Sequence, residues 1–239
     1  MNAACFDLAD LVLTRAGRTG SPAYRLEIPR LTVWPGARIG LVGESGIGKS
    51  TLLDILALIR RPDSLRHFQL SGRDIAQDLT RGRMRRLTRM RRRHISYILQ
   101  DGGLLPYLSI GANARLARRL ARSDQADGIE NLAQTLGIAS LLGKLPSALS
   151  GGQRQRAAVL RGLASGAQVI LADEPTAALD SQNAGAAMRL LADLPRDRAV
   201  IVSSHQEALL TSCGFVLWRL VAQDRSAVAT RVTLKIEAA

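Results

Sequence analysis

The order of apolar and polar residues near the start of the chain predicts a strand, a turn and a second strand. Apolar residues alternate with polar ones along residues 26–33, interrupted at Pro29, which is the spacing of a strand. Pro35-Gly36 is a turn-forming pair, and residues 39–42 form a short apolar run typical of a buried strand. A glycine-rich loop follows, and from it a helix is predicted to about Arg60.

Strands and helices alternate through the middle of the chain. Helices are predicted over the arginine-rich residues 80–93, from the loop at 102–106 to about Leu142, and from Ser150 onward. Three further strands are predicted, at 95–99, 169–172 and 200–203. This alternation predicts an α/β protein with a mostly parallel sheet that is covered on both faces.

The last 25 residues show a different pattern. Residues 228–236 alternate with period two, and residues 215–221 form a second apolar stretch. A turn at 223–226 separates them, so an antiparallel hairpin is predicted.

Composition narrows the class of protein. The chain has 239 residues, 46% of them hydrophobic and 22% charged, which excludes a disordered chain and is enough for a packed core. No apolar run reaches the roughly 18 residues of a membrane-spanning helix, and no export signal is recognised. The two cysteines, Cys5 and Cys213, are too far apart in sequence to indicate a disulfide framework or a paired metal site, which favours the cytoplasm.

The positive charge is concentrated in one region. The net charge is +13, and residues 60–122 hold 16 arginines and 4 aspartates, which is +12 of it. Such a localised excess predicts an acidic partner. Arginines outnumber lysines 30 to 3, so a lysine that was kept, such as Lys49, is informative.

Residues 43–50 carry a phosphate-binding motif. They read Gly-Glu-Ser-Gly-Ile-Gly-Lys-Ser, between a predicted strand and a predicted helix, which is the context that the motif requires. Glycines let backbone N–H groups turn inward around an anion, and the helix directs its positive end to the same place. Lys49 is predicted to reach the β and γ phosphates, and Ser50 to ligate Mg²⁺. The predicted nucleotide-binding residues are Gly43, Glu44, Ser45, Gly46, Ile47, Gly48, Lys49, Ser50 and Thr51.

A second group of polar residues follows the apolar run 169–172. Asp173 and Glu174 stand where a buried strand ends, at the edge where open α/β sheets bind ligands. Asp173 is predicted to hold Mg²⁺ through water, and Glu174 to orient and activate an attacking water. The alternative, a pair of acids that caps a strand or helix, is outweighed by the phosphate loop upstream.

Ser150 begins a helix whose first turn contains two glycines. Serine is a good N-cap, but Gly151 and Gly152 cost helix stability, about 1 kcal/mol each. Bare backbone at a helix N-terminus makes a second anion site. Two phosphate-facing sites predict either two nucleotides or a site shared between two chains.

These motifs together resemble those of ATP-binding cassette (ABC) ATPases, over nearly the whole chain. The resemblance rests on the phosphate loop, on 149–153 (Leu-Ser-Gly-Gly-Gln), on 169–174, and on three residues at family positions, namely Gln100, Asp180 and His205. It implies a single domain over 1–239, with a mostly parallel core sheet, an antiparallel β part and a helical subdomain at about 101–165.

The resemblance also implies roles for individual residues. Lys49 and the loop amides would hold ATP, and Ser50, Gln100 and Asp173 would hold Mg²⁺. Glu174 would be the general base. His205 would contact the γ-phosphate. Facing the ATP of the opposite subunit would be Ser150, Gly151, Gly152 and Gln153, and Asp180 would communicate across the dimer.

The chain departs from the family where an aromatic residue normally stacks on adenine. Thr14-Arg15-Ala16 occupies the expected stretch, so Arg15, through its planar guanidinium, or Tyr24 is the candidate. Residues 104–109 resemble the group of lipoprotein-release, macrolide-export and cell-division ATPases.

The partners that the resemblance implies are separate transmembrane permease subunits and a second ATPase subunit, in a homodimer or pseudo-dimer. The chain would lie at the cytoplasmic face of the inner membrane. A non-transporting ABC ATPase that drives a membrane signalling or division complex is the alternative. A nucleic-acid-associated ATPase is disfavoured, because residues 49–150 contain no heptads or zinc ligands, and no nucleic-acid partner is expected. The arginines at 81, 85, 89 and 93 are predicted to line one helix face toward anionic headgroups or an acidic stretch of the membrane partner.

Overall fold

The computed structural model describes residues 3–15, 23–122, 128–225 and 229–236. The ten strands of this part of the chain are β1 (Phe6–Arg15), β2 (Ala23–Val33), β3 (Arg38–Val42), β4 (His67–Leu70), β5 (Arg73–Asp74), β6 (Ile95–Ile98), β7 (Val169–Asp173), β8 (Ala199–Ser203), β9 (Val216–Arg225) and β10 (Ala229–Ile236). Its α-helices are α1 (Lys49–Leu56), α2 (Ala76–Thr80), α3 (Met84–His94), α4 (Ile110–Ala121), α5 (Ile129–Thr135), α6 (Gly151–Leu163), α7 (Ser181–Ala192) and α8 (Glu207–Ser212). Two 3₁₀ turns, Ala139–Leu141 and Pro146–Ala148, precede α6.

All ten strands belong to one sheet, in the order β5-β4-β1-β2-β10-β9-β3-β8-β7-β6. Strands β9, β3, β8, β7 and β6 pair in parallel and form the core. Strands β5, β4, β1 and β2 pair antiparallel, and β10 joins them by pairing in parallel with β2 and antiparallel with β9. The predicted α/β fold, with a parallel core sheet and an antiparallel part, is therefore confirmed.

The core strands are buried on both faces. In β7, Val169 and Leu171 belong to one hydrophobic cluster, whereas Ile170 and Ala172 belong to another. The first cluster lies between the parallel core, α1 and the antiparallel strands, and the second lies under α4 to α8. A strand that contributes side chains to two cores reads as a continuous apolar run, which is why the sequence shows no alternation there.

The alternation of buried and exposed residues shifts at the same point in β1 and β2. Asp10 has a φ of 53° and stands opposite Pro29, where the ladder between the two strands is interrupted. Residues of the first hydrophobic cluster on either side of the break are therefore three positions apart in both strands: Leu8 and Leu11, Ile28 and Leu31. Because proline has no N–H to donate, a break at this pair removes little hydrogen bonding.

Two predicted helices have different boundaries in the structure. The helix after the phosphate loop ends at Leu56, so the predicted end at about Arg60 is wrong. Leu58 turns into the left-handed region at φ 57°, and the N–H groups of residues 59 and 60 both donate to the carbonyl of Asp54. The arginine-rich helix begins at Met84, after Gly82 with φ 63°, so Arg81 lies at the end of α2 and not on the arginine-rich face.

The C-terminal hairpin is confirmed as an antiparallel pair of β9 and β10. The predicted turn at 223–226 is placed too early, because residues 223–225 belong to β9, and residue 226 lies outside the described residues. Helices α4, α5 and α6 pack on one another over the second cluster. The single domain over 1–239 and its helical subdomain at about 101–165 stay predictions. Within the described ranges, none of the helices is long and apolar enough to span a membrane.

Candidate functional site

The phosphate loop joins β3 to α1 and depends on glycine at particular positions. Gly43, Gly46 and Gly48 have φ values of 142°, 76° and 107°, which side chains rarely adopt. A Cβ on Gly48 would also lie 1.7 Å from the Tyr24 hydroxyl oxygen. The conformation of the loop therefore requires glycine at these three positions.

Lys49, the first residue of α1, is buried and turned back over the loop. Its Nζ donates to the carbonyls of Gly43 (2.9 Å) and Glu44 (3.2 Å) and lies 3.5 Å from Nε2 of His205. Burial lowers the pKa of Lys49, and the nearby carboxylates of Glu174 and Asp173 oppose that shift. The ammonium is thus held where the loop, β7 and the residues after β8 meet.

Asp173 ends β7 and Glu174 follows it, and a serine of the neighbouring strand β8 hydrogen-bonds to both residues. The Ser203 hydroxyl donates to Oδ1 of Asp173 at 2.6 Å and accepts from the Glu174 amide at 3.0 Å. The Ser203 carbonyl also lies 3.2 Å from that amide. Sequence analysis assigns no role to Ser203, whose only signal is a polar residue at the end of an apolar strand.

Glu174 is held in an unusual backbone conformation, with φ 48°. Its carbonyl accepts from Nε2 of Gln155 at 3.2 Å, a contact the sequence did not reveal. Its Oε1 is buried without a hydrogen bond to any described group, although Nε2 of His205 lies 3.3 Å away. Burial raises the pKa of Glu174, and the neighbouring His205 and Lys49 lower it in part. A carboxylate in this setting is suited to accept a proton.

These elements enclose a cleft of about 380 Å³. Its lining consists of Arg15, Ser45, Gly46, Gly48, Lys49, Ser50, Thr51, Gln100, Asp173, Glu174, Ala177 and His205. Gly43, Glu44 and Ile47 line a neighbouring cavity of about 560 Å³ beside β9 instead. The structure thus brings most of the predicted nucleotide, metal and catalytic residues together.

The oxygen donors of the cleft fit Mg²⁺. Ser50, Gln100 and Asp173 provide a hydroxyl, an amide and one carboxylate around the same space. In the part of the chain that the structure describes, no group of three or more His, Cys, Asp or Glu residues is arranged to hold a metal. A site with a single carboxylate suits Mg²⁺, which keeps several waters and binds substrate phosphates.

The second predicted anion site lies apart from this cleft. Ser150 is the N-cap of α6, and its hydroxyl accepts from the Gln153 amide (3.3 Å) while Gln153 Oε1 accepts from the Ser150 amide (3.0 Å). A Cβ on Gly151 would meet nothing within 4 Å, so this helix start is open to its surroundings. Asp180 caps α7 by accepting from the Asn183 amide at 2.9 Å, and these hydrogen bonds lower its pKa.

Of the two candidates for adenine stacking, only Arg15 lines the cleft. It pairs across β1 and β2 with Tyr24, whose hydroxyl donates to the carbonyl of Ile47 at 2.9 Å. Tyr24 therefore lies against the phosphate loop itself.

Six of the eight arginines in residues 81–93 fall into two classes. Arg83 and Arg86 pair with Asp78, at 3.0 and 3.4 Å, and Arg91 donates to a backbone carbonyl at 3.1 Å. Arg85, Arg89 and Arg93 share one face of α3, are exposed, and make no ion pair with any described residue. We call these three residues the basic face of α3.

A second cavity of about 380 Å³ lies between α3, β6, α4 and α6. It is lined on one side by Arg92 and Arg161 and on another by Ala117 and the largely exposed Leu120. Nε of Arg92 is buried there without a hydrogen bond to the described residues. We refer to this cavity as the α3–α4 groove.

Comparison with known proteins identifies relatives over most of the chain. A family model described as ABC transporter matches residues 26–177. The Macrolide export ATP-binding/permease protein MacB of Rhodopseudomonas palustris is 36% identical over 214 residues, which cover 87% of this chain and 31% of that protein. MacB of Burkholderia thailandensis is 39% identical over 181 residues, which cover 74% and 27%. The chain thus spans about a third of the length of these relatives.

Solved structures show the same fold. The dimeric structure of a bacterial ABC transporter cassette, MJ0796, aligns with a TM-score of 0.75 and 27% identity over 90% of this chain and 93% of that one. A post-hydrolysis state of the same cassette, bound to ADP and Pi, aligns with a TM-score of 0.73 and 26% identity, over 94% and 96%.

Proposed function

The chain belongs to the ABC transporter family and is an ABC ATPase, and we propose that its cleft binds and hydrolyses ATP with the residues named above. The observation that carries this proposal is the meeting of a phosphate loop, a buried lysine, two carboxylates and a histidine in one space. Lys49 and the loop amides would hold the phosphates, because they supply positive charge and N–H donors at the positive end of α1.

Glu174 is the proposed general base. Its raised pKa, due to burial, makes its carboxylate a better proton acceptor than an exposed glutamate. It would take the proton from the water that attacks the terminal phosphorus, while the bond to the leaving ADP breaks. His205, whose Nε2 lies within 3.5 Å of both Lys49 and Glu174, would contact the γ-phosphate.

Ser50, Gln100 and Asp173 are the proposed holders of Mg²⁺. When bound, the ion would neutralise charge on the β and γ phosphates. Ser203 would keep the Asp173 carboxylate in place through its 2.6 Å hydrogen bond.

We further propose that two ATPase subunits form a dimer in which each completes the site of the other. Ser150, Gly151, Gly152 and Gln153 begin α6 outside the cleft of their own chain, with Gly151 open on its side-chain face. In a dimer they would face the phosphates of the opposite subunit's ATP, and Asp180 would lie near that contact. The related cassette MJ0796 is described as dimeric.

The proposed partners are separate transmembrane permease subunits at the cytoplasmic face of the inner membrane. The relatives are ATP-binding/permease proteins, and the chain matches about a third of their length. The α3–α4 groove combines apolar and basic lining, and would receive an acidic, partly apolar segment of such a subunit. Macrolide export or lipoprotein release is the favoured transport class, and a membrane signalling or division complex is the alternative.

The substitution Glu174→Gln tests the catalytic assignment. It keeps the shape of the side chain and removes the base, so ATP turnover is expected to fall by about 10²–10⁴-fold while ATP binding and dimer formation persist. Turnover of the purified protein is measured by phosphate release, and binding by equilibrium titration. Glu130→Gln, the same change at an exposed glutamate on α5 outside the cleft, is the matched control. Near-normal turnover of Glu174→Gln would remove Glu174 from its role.

A further inference from the structure

Tyr24 approaches the phosphate loop from β2 and contacts two of its residues. Its hydroxyl donates to the carbonyl of Ile47 at 2.9 Å. The same oxygen occupies the space next to Gly48, where a Cβ would lie 1.7 Å from it. The tyrosine therefore holds the Ile47–Gly48 peptide by both a hydrogen bond and direct packing.

The geometry of a peptide group gives this contact a consequence in the cleft. In a trans peptide the carbonyl and the following N–H point in opposite directions, and no described peptide is cis. The Ile47 carbonyl points toward Tyr24, so the Gly48 N–H points away from it. Gly48 lines the cleft, and its N–H donates to no group in the described residues. This donor is thus available to an anion in the cleft.

Gly48 needs such a restraint because glycine has no Cβ to limit its backbone dihedral angles. Its φ of 107° and ψ of 17° are one of several conformations that glycine adopts at similar cost. A rotated Ile47–Gly48 peptide would present its carbonyl to the cleft and repel phosphate. A hydrogen bond from a packed side chain selects the conformation that presents the donor.

We propose that Tyr24 is a positioning residue for the phosphate loop, whose hydroxyl orients the Gly48 N–H toward the phosphates of the nucleotide. This inference rests on the proposed function of the cleft. A positioning role for Tyr24 removes it as a candidate for adenine stacking. Arg15, which pairs with Tyr24 across the two strands and lines the cleft, is then the remaining candidate. Burial raises the pKa of Tyr24 well above its usual range, so the hydroxyl stays a donor at neutral pH.

The test compares Tyr24→Phe with Tyr97→Phe in the full chain. Each change removes one partly buried hydroxyl, and that of Tyr97 bonds to Oδ1 of Asp54 at 3.2 Å, a residue of α1 that does not line the cleft. The dissociation constants of ATP and of inorganic pyrophosphate, which has no base, are measured with KM, kcat and thermal stability. Tyr24→Phe is expected to weaken both ligands equally, by roughly 2- to 10-fold, the effect of one neutral hydrogen bond. KM should rise with kcat within about twofold, as for lost ground-state binding.

The outcomes separate the possible roles of Tyr24. Since phenylalanine keeps the ring, a loss that includes pyrophosphate supports positioning. Unchanged pyrophosphate binding in Tyr24→Phe, or an equal loss in Tyr97→Phe, overturns the proposal. Lys49→Ala is measured alongside. If Lys49→Ala binds both ligands with the affinity of the unsubstituted protein, the proposed function of the cleft is rejected. If Lys49→Ala fails to bind while Tyr24→Phe binds normally, only the proposed role of Tyr24 is rejected.

Discussion

Replacing Ser203 by alanine is expected to lower the free energy of unfolding and to weaken Mg²⁺ binding, because the Ser203 hydroxyl bonds to both Asp173 and the Glu174 amide. More Mg²⁺ should then be needed for half-maximal ATPase activity. Ser203 is fully buried on β8, and its Oγ lies 2.6 Å from Oδ1 of Asp173 and 3.0 Å from the Glu174 amide. The alanine variant removes that one oxygen and keeps the strand, since the residue on either side is unchanged.

The cost follows from the two hydrogen bonds. A hydrogen bond to a charged acceptor contributes about 1.5–3 kcal/mol to stability, and a neutral one about 0.5–1.5 kcal/mol. The Glu174 amide keeps a second acceptor, the Ser203 carbonyl at 3.2 Å, so its loss is small. The free energy of unfolding is therefore expected to fall by about 1.5–3 kcal/mol, the contribution of the bond to Asp173.

Urea denaturation without nucleotide, followed by tryptophan fluorescence, measures this change. Ser96→Ala is the matched control, because Ser96 is also buried and donates a single neutral hydrogen bond, to the Gly162 carbonyl at 2.8 Å. It should lose about 1 kcal/mol. The Mg²⁺ concentration for half-maximal ATPase activity should rise in Ser203→Ala and stay unchanged in Ser96→Ala, since only the first loosens Asp173.

The reasoning is refuted if the two variants lose equal stability and require the same Mg²⁺ concentration. That result would mean that the 2.6 Å contact does not hold the Asp173 carboxylate.

Four other measurements test the cleft and the basic face of α3. Lys49→Ala should weaken ATP binding itself, and unchanged affinity in an equilibrium titration would contradict the phosphate-loop assignment. Because burial raises the pKa of Glu174, ATPase activity should fall as the pH drops from neutral toward that raised pKa, above the ordinary range of a glutamate, and a flat profile would exclude Glu174 as the base. The raised pKa also means that ionised Glu174 destabilises the folded state at pH values above its pKa in the unfolded chain. Glu174→Gln should therefore have a higher melting temperature than the unsubstituted protein at pH 8. That difference should disappear as the pH falls from the folded-state pKa of Glu174 to its unfolded-state pKa. Replacing Arg85, Arg89 and Arg93 together by Gln should abolish salt-sensitive co-sedimentation with phosphatidylglycerol vesicles and leave ATP binding intact, since each arginine near an anionic surface contributes about 1 kcal/mol; equal recovery of both proteins at every salt concentration would show that the basic face of α3 is simply solvated.

The basic face also illustrates how far spacing alone can predict structure. The i, i+4 spacing correctly places Arg85, Arg89 and Arg93 on one helix. It fails for Arg81, because Gly82 takes a left-handed conformation and ends the preceding helix. It also gives no indication that Arg83 and Arg86 both pair with Asp78, whose position depends on how α2 packs beside α3.

Motifs made of consecutive residues could be predicted from the amino-acid order. The phosphate loop, the carboxylates that end β7 and the capped start of α6 each occupy a few adjacent positions, so covalent connection alone fixes their spacing. The alternation of apolar strands with helices likewise determined the parallel core, because strands buried on both faces require apolar runs. The same reasoning did not find β1, whose alternation is broken at Asp10.

The contacts by which distant residues support those motifs depend on how the chain folds. Ser203 meets Asp173 because β7 and β8 pair in one particular register, and Tyr24 reaches Ile47 because β2 passes beside the loop. Residues 30 and 23 positions apart make these contacts. Hydrogen bonds between such residues depend on strand register and side-chain direction, which a shift of one residue would reverse, and no local pattern in the sequence records them.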